Sequence, residues 1–353
     1  MGECIGISSG EKIRARAALC KESPLRFWEK AMAILRRVTA IVVFLPAMAI
    51  HGQQGRVSGP VAGYVFDGTA LRPIAGVPGG ATLGGALSLG LAASAAVVSP
   101  QLDSAIVTAK DGPVHLFRLS GNSATEVAWN GAPSWPGRVV YSPSGTAAAI
   151  YASRRVQVVS GLPNSPVLAF GAELSPMPEM LTRQTIPAAP QAMAVSDDAA
   201  YLLVASEGRL RLLGASGSSS VVFEGGRGIS VAFAPGSHTA AVLSGAGPWL
   251  DVFPDVSAAP TKRIAAPGLA EPAGLAFSAD GKLILAATRA GKSVTIFDLA
   301  GDVTALDCAC TPTGVTRMGN LFRLTDAGSG PVWLVDTGAN PARIVFVPAR
   351  TNP

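Results

Sequence analysis

The sequence predicts an all-β protein: a β-propeller of six to seven four-stranded blades, preceded by an N-terminal signal segment. Three observations predict it. A unit of strand, tight turn, strand, turn and strand recurs along the chain at a spacing of about 40–50 residues, the range of propeller blades. The composition is 48% hydrophobic and 14% charged, with 40 Gly and 27 Pro among 353 residues, which suits many short strands joined by tight turns and not a disordered chain. The joining segments carry Ser-Pro, Asp, Gly or Asn, residues that supply positive φ, a fixed φ or side-chain-to-backbone bonds.

The best-preserved unit is residues 274–301, GLAFSADGKLILAATRAGKSVTIFDLAG. It reads as a strand, a turn at Asp280-Gly281, a second strand, a turn at Gly291 and a third strand ending at Asp298. The third strand, Val294-Thr295-Ile296-Phe297, has an apolar, any, apolar, apolar pattern. The same pattern returns at residues 114–117, 156–159, 210–213, 250–253 and 332–335, and more loosely at 63–66. A strand pair precedes each copy but the first, and a short fourth strand follows each. Six units are complete. The N-terminal piece, residues 64–75, is expected to supply the two outer strands of a seventh blade or to pad the join.

Two stretches interrupt the repeat. Residues 79–93 form a Gly/Ala/Leu tract, expected to be a packed connector. Residues 171–190 are a Pro-containing insertion between the second and third full units, either a mobile surface loop or a contact element.

The N-terminus carries a targeting pattern. Arg36-Arg37 precedes an apolar run, residues 38–50, that contains Ala47-Met48-Ala49. A basic n-region, an apolar h-region and an A-x-A site make a secretory signal. The run is shorter than the ~20 residues a spanning helix needs. The expected organisation is an extension or misassigned start over 1–31, a signal peptide over 32–49 cleaved after Ala49, and the propeller over 57–348. The mature chain is then secreted or periplasmic, with no stable membrane span. Cys308 and Cys310 alone survive cleavage. They read as small apolar residues or a local disulfide at a turn, with redox or metal chemistry the less ordinary alternative.

Phe277-Ser278-Ala279-Asp280-Gly281-Lys282, followed by Val294-Thr295-Ile296-Phe297-Asp298, resembles the repeat of bacterial YVTN-type and WD40-like propellers. The resemblance spans residues 57–348. The YVTN tetrapeptide itself is absent, as are the Gly-His and Trp-Asp dipeptides of WD40 repeats. Related propellers include cell-surface binding proteins and lactonases of the phosphogluconolactonase type, and the fold does not choose among them.

No chemistry-bearing constellation stands out. His115 sits mid-strand and His238 in a turn. No H-E-x-x-H, nucleophile elbow or P-loop occurs. Asp197, Asp198 and Asp280 read as turn residues and not calcium ligands. No catalytic residue, metal site or cofactor is expected. The net charge of +5 comes without a Lys/Arg run interleaved with aromatics, so nucleic acid is not an expected partner.

What remains is one loop-rich face of a monomer. Candidate binding residues there are Trp129, Trp135, Arg154, Arg155, Glu207, Arg227 and Arg289, a composition suited to a protein or polysaccharide partner. Trp249 and Trp333 are expected to pack between blades. The competing expectation is a lactonase-like hydrolase with its site in the central funnel.

Overall fold

The computed structural model describes residues 59–349, apart from 175–188, 226–227, 248, 259–261, 266–267, 270 and 329. The signal segment and most of the 171–190 insertion therefore lie outside the described residues. Among the described residues every regular element is a strand, and no helix is long and apolar enough to cross a membrane.

The strands form seven antiparallel sheets in sequence order. Blade 1 holds Val61–Phe66, Leu71–Ala75 and Thr82–Leu83. Blade 2 holds Ala93–Val98, Ser104–Ala109, Val114–Ser120 and Ser123–Val127. Blade 3 holds Arg138–Tyr141, Ala147–Ala152, Arg155–Ser160 and Val167–Glu173. Blade 4 holds Ala192–Val195, Tyr201–Ser206, Arg209–Gly214 and Ser219–Glu224. Blade 5 holds Ile229–Phe233, Ala240–Ser244, Trp249–Phe253 and Lys262–Ala265. Blade 6 holds Pro272–Phe277, Leu283–Thr288, Ser293–Asp298 and Val303–Asp307. Blade 7 holds Thr316–Met318, Leu321–Arg323, Val332–Asp336 and Arg343–Val347.

The first strands of neighbouring blades pack side by side around one axis, and Val61–Phe66 lies between the first strands of blades 2 and 7. The ring thus has seven blades. This corrects the expectation for residues 64–75. Val61–Phe66 is the innermost strand of blade 1, and Leu71–Ala75 the second. The apolar pattern that suggested an outer position fits any strand buried on both faces, so only the neighbours decide which one it is. The 79–93 tract is a packed connector only in part: Thr82–Leu83 pairs with Leu71–Ala75 as the third strand of blade 1, and beyond it Leu87 is buried while Leu89 and Leu91 pack on the cluster between blades 1 and 2.

Blades adhere through their faces. Seven apolar clusters are present, one at each junction between successive blades, including the one between blades 7 and 1. Phe117, Phe233, Phe297 and Phe322 are fully buried in them. Each large apolar side chain so buried contributes roughly 1.5–3 kcal/mol. A single sheet has no partner for these faces, which is why the unit is stable only in a ring.

The turn between first and second strands is the most regular feature. Ser99, Ser142, Ser196 and Ser278 are buried at its start. Their hydroxyls accept backbone N–H bonds: Ala147 to Ser142 at 3.1 Å, Tyr201 to Ser196 at 3.0 Å and Leu283 to Ser278 at 2.9 Å. Each of the seven turns contains a residue at positive φ: Gly68, Leu102, Gly145, Ala199, Gly236, Gly281 and Gly319. The Asp-Gly-Lys signature is therefore turn chemistry.

Two acids in these turns make stability depend on pH. Partial burial alone would raise the Asp198 carboxyl. The Ser196 hydroxyl, the Ala200 amide and His238 outweigh that and hold it at about 2. Asp67 is likewise opposed by burial but held well below the carboxylate range by Arg72, Thr69 and Ala70. Both native values lie below the unfolded value near 4. Their contribution is complete above that value and is lost as pH falls through the native range. Thermal midpoints at pH 6, 4 and 2.5 are expected to fall at the acid end, and to fall less in the Asp67→Asn/Asp198→Asn double variant.

Cys308 and Cys310 form a disulfide with Cα atoms 4.9 Å apart, buried against Phe322, Leu324 and Val335. Trp333 meets Phe346 of the adjacent strand, ring centroids 5.4 Å apart. Trp249 departs from the expected blade packing. It opens its strand beside a turn and is 43% exposed.

Candidate functional site

Four-stranded antiparallel blades sort their connections onto two faces. Second-to-third turns and blade-to-blade connections share one, here called the loop face. First-to-second and third-to-fourth turns share the other, the turn face.

The axis is a cavity of about 410 Å³ walled by the first strands. Seven strands crowd there, so the wall is built from small side chains such as Ala96, Ala192, Ala194, Ala232, Ala273 and Ala276, with Val97, Val231 and Val315. Exposure separates the two ends. On the loop face Arg138, Gln191 and Thr313 are exposed. On the turn face Ser142, Phe233, Phe277, Arg317 and Met318 are buried. The cavity is a funnel open on the loop face and bridged across the axis on the turn face.

Arg317 makes that bridge. It lies in the first strand of blade 7, and its guanidinium donates to the Gly319 carbonyl at 3.2 Å and to the Pro143 carbonyl. Pro143 belongs to blade 3, across the axis. Burial presses the Arg317 pKa down, and the nearby Asp197 carboxylate pushes it back up. Asp197 itself ties three blades together. Its carboxylate accepts from the Ser144 amide at 2.6 Å, the Ser144 hydroxyl at 2.7 Å and the Gly236 amide at 2.7 Å. The Gly319 amide reaches the Pro100 carbonyl of blade 2 at 2.8 Å, passing over blade 1.

Three arginines line the funnel, Arg138, Arg317 and Arg323, and no Asp, Glu or His does so among the described residues. Arg323 lies near the loop-face end and pairs with Asp326 at 3.4 Å. Burial lowers its pKa, and Asp326 opposes the shift. Arg138 makes no ion pair or side-chain hydrogen bond with any described residue. Sequence reasoning missed all three. A lone Arg at a strand end carries no signal until the ring turns it towards the axis.

The sequence-predicted binding residues fall on the loop face, except that Arg227 lies outside the described residues. Trp129 is partly buried in the cluster between blades 2 and 3. Trp135 stands 66% exposed. Arg154 and Arg155 are exposed at the second-to-third turn of blade 3, next to the connection that carries Trp135. Glu207 and Arg289 occupy the same turn in blades 4 and 6, with Arg289 in the far sector of the ring. Trp249 joins this face. Its position just after a second-to-third turn was the signal available for it.

Backbone strain concentrates here. Of the eight non-glycine residues at positive φ among the described residues, six lie on the loop face: Trp135, Ser153, Arg154, Glu207, Glu271 and Lys292. Ser153-Arg154 forms a two-residue hairpin turn with φ of 49° and 66°, a geometry that favours Asn-Gly. A side chain held there costs on the order of 1–2 kcal/mol.

Trp135 has a specific seat. Its amide donates to the Gly112 carbonyl at 2.8 Å, and a Cβ on Gly112 would stand 2.2 Å from the indole ring. Gly112 also has φ of 109°. Gly112→Ala is expected to displace Trp135 and to cost roughly 1–2 kcal/mol. A shifted tryptophan emission spectrum with an otherwise unchanged far-UV CD spectrum would report the displacement.

Among the described residues no group of three or more His, Cys, Asp or Glu is placed to hold a metal ion. Neither a protein-family model nor a curated protein matches the sequence. Solved structures do match the fold. A functionally unknown protein from Desulfotomaculum acetoxidans DSM 771 is similar with a TM-score of 0.54 at 14% identity, covering 81% of this chain and 94% of that one. A virginiamycin B lyase from Staphylococcus aureus is similar at TM-score 0.51 and 13% identity, covering 73% of this chain and 84% of that one. A streptogramin B lyase structure gives TM-score 0.51 and 13% identity, covering 74% and 85%. At such identities the likeness is one of architecture: the chain has the fold of a seven-bladed β-propeller.

Proposed function

We propose that the chain is a secreted or periplasmic binding protein of the YVTN/WD40-like kind, whose loop face engages a protein or polysaccharide partner. The observation that carries this reading is the strain on that face. Trp135, Arg154 and Glu207 are held exposed in a backbone conformation that glycine would adopt at less cost. Strain of this kind is retained at functional sites more than elsewhere. Exposed Trp beside Arg is also the composition of binding hot spots. The buried disulfide agrees with an oxidising compartment.

The competing reading is an enzyme with its reaction in the funnel, as a lactonase-like hydrolase or a lyase would have. Proton transfer ordinarily uses His, Asp, Glu, Lys, Tyr or Cys. The acids and histidines in that set do not line the funnel among the described residues, and Tyr64 and Tyr141, which do, have their pKa values raised by burial.

The test is affinity capture from an envelope extract, with the mature protein and a Trp135→Ala/Arg154→Gly variant as baits. A component held by the first and lost by the second is the expected result. Arg154→Gly by itself is expected to raise stability by about 1 kcal/mol, read by urea unfolding, because it relieves the turn. No reproducible partner, together with turnover of a lactone panel, would sink the binding reading.

A further inference from the structure

We propose that the axial funnel is a second binding site, for a small amphipathic anion whose carboxylate or phosphate head is held at the loop-face mouth by Arg138 and Arg323. Its aliphatic body would occupy the Ala/Val-walled shaft. This site is separate from the rim residues above and does not depend on their having a partner.

The charge balance of the funnel leads to this ligand class. Among the described residues three guanidinium groups line it and no carboxylate does. Arg317 is committed to carbonyls at the turn-face end. Arg323 spends one nitrogen on Asp326, whose side chain is 73% exposed, and keeps the remaining donors of its fork. Arg138 has no partner among the described residues. A guanidinium cannot shed its proton, so the partly buried Arg323 and the exposed Arg138 at the mouth both gain from an anion placed there. The planar fork suits a carboxylate or phosphate bidentately. Burial lowers the Arg323 pKa, which marks a cation poorly served by solvent.

The wall and the bridged end define the rest of the ligand. Below the mouth most of the lining side chains are small and aliphatic, so a short hydrocarbon body has a wall to pack against. At the other end the Arg317 bond to the Pro143 carbonyl spans the axis and bounds the pocket. Its volume of about 410 Å³ lies in the range of small-molecule sites, roughly 300–1,000 Å³. Gln191 and Thr313 at the mouth supply further polar contacts for the head.

Isothermal titration of the purified protein with octanoate, octyl phosphate, 1-octanol and octyltrimethylammonium tests the proposal. One octanoate or octyl phosphate per chain is expected, at least tenfold tighter than 1-octanol, with no binding of the cation. The stronger of the two anions assigns the head as carboxylate or phosphate. Arg138→Met should weaken the anion at least tenfold, whereas Arg154→Gly on the rim should leave it unchanged. Equal affinity for 1-octanol, absence of anion binding, or full affinity in a folded Arg138→Met would overturn the proposal. The comparison of octanoate with 1-octanol on the unaltered protein decides the matter even if the variant fails to fold. Loss of the rim partner with retained octanoate binding, or the reverse, separates this site from the loop-face reading.

Discussion

Arg317→Ala is expected to cost about 3 kcal/mol, roughly 5 °C in Tm, measured by urea and thermal unfolding. The side chain is 6% exposed and donates charged hydrogen bonds to two carbonyls, one on its own turn and one across the axis. A hydrogen bond to a charged group contributes about 1.5–3 kcal/mol, and deletion also strands the buried acceptor. The effect should exceed that of a typical surface Arg because the bond joins blades that share no apolar cluster. Blade 7 otherwise packs through the apolar clusters it shares with blades 6 and 1, the latter also touched by Leu102 of blade 2. A loss below about 0.5 kcal/mol, the range of ordinary surface substitutions, would show that the apolar junctions close the ring unaided.

The second large effect is expected at Asp197, where alanine should cost about 2–4 kcal/mol. Three donors from blades 3 and 5 converge on this one carboxylate. Asn should recover part of the loss, since one of its amide atoms still accepts, but with no negative charge beside Arg317. The two residues act on one network, so the double variant should cost less than the sum of the single changes. Strict additivity in that cycle would mean that Asp197 and Arg317 do not sense each other.

These two residues also mark the boundary of what the sequence reveals. The blades were legible because alternating apolar strands and Ser/Asp/Gly turns are local signals, repeated seven times with small variation. The turn role of Asp198 and Asp280 was legible for the same reason. The loop face could be assigned by topology alone, and Trp135, Arg154 and Glu207 were found there. The funnel was not legible. Arg138, Arg317 and Arg323 occupy different repeats and meet only after the ring has closed. The N-terminal strand misled because Tyr64 and Val65 are apolar in a way that suits several strand positions. Trp249 misled because large aromatics usually pack in propeller blades, and only its exposure shows otherwise.

Closure without a shared blade bears on how the molecule folds. Among the described residues blade 1 comes from the N-terminal side of the propeller and blade 7 from the C-terminal side, with no strand exchanged between them. The Arg317 to Pro143 bond spans 174 residues. Joining chain ends across that distance carries a loop entropy of about 4.6 kcal/mol, which local pairing does not repay. Sheets can form blade by blade as local events, but the axial bond cannot form until the last blade is present. Folding should therefore end on a slow, non-local step, with an open arc of finished blades before it. The arc would expose two unpartnered apolar faces at its ends, and those faces set its tendency to aggregate.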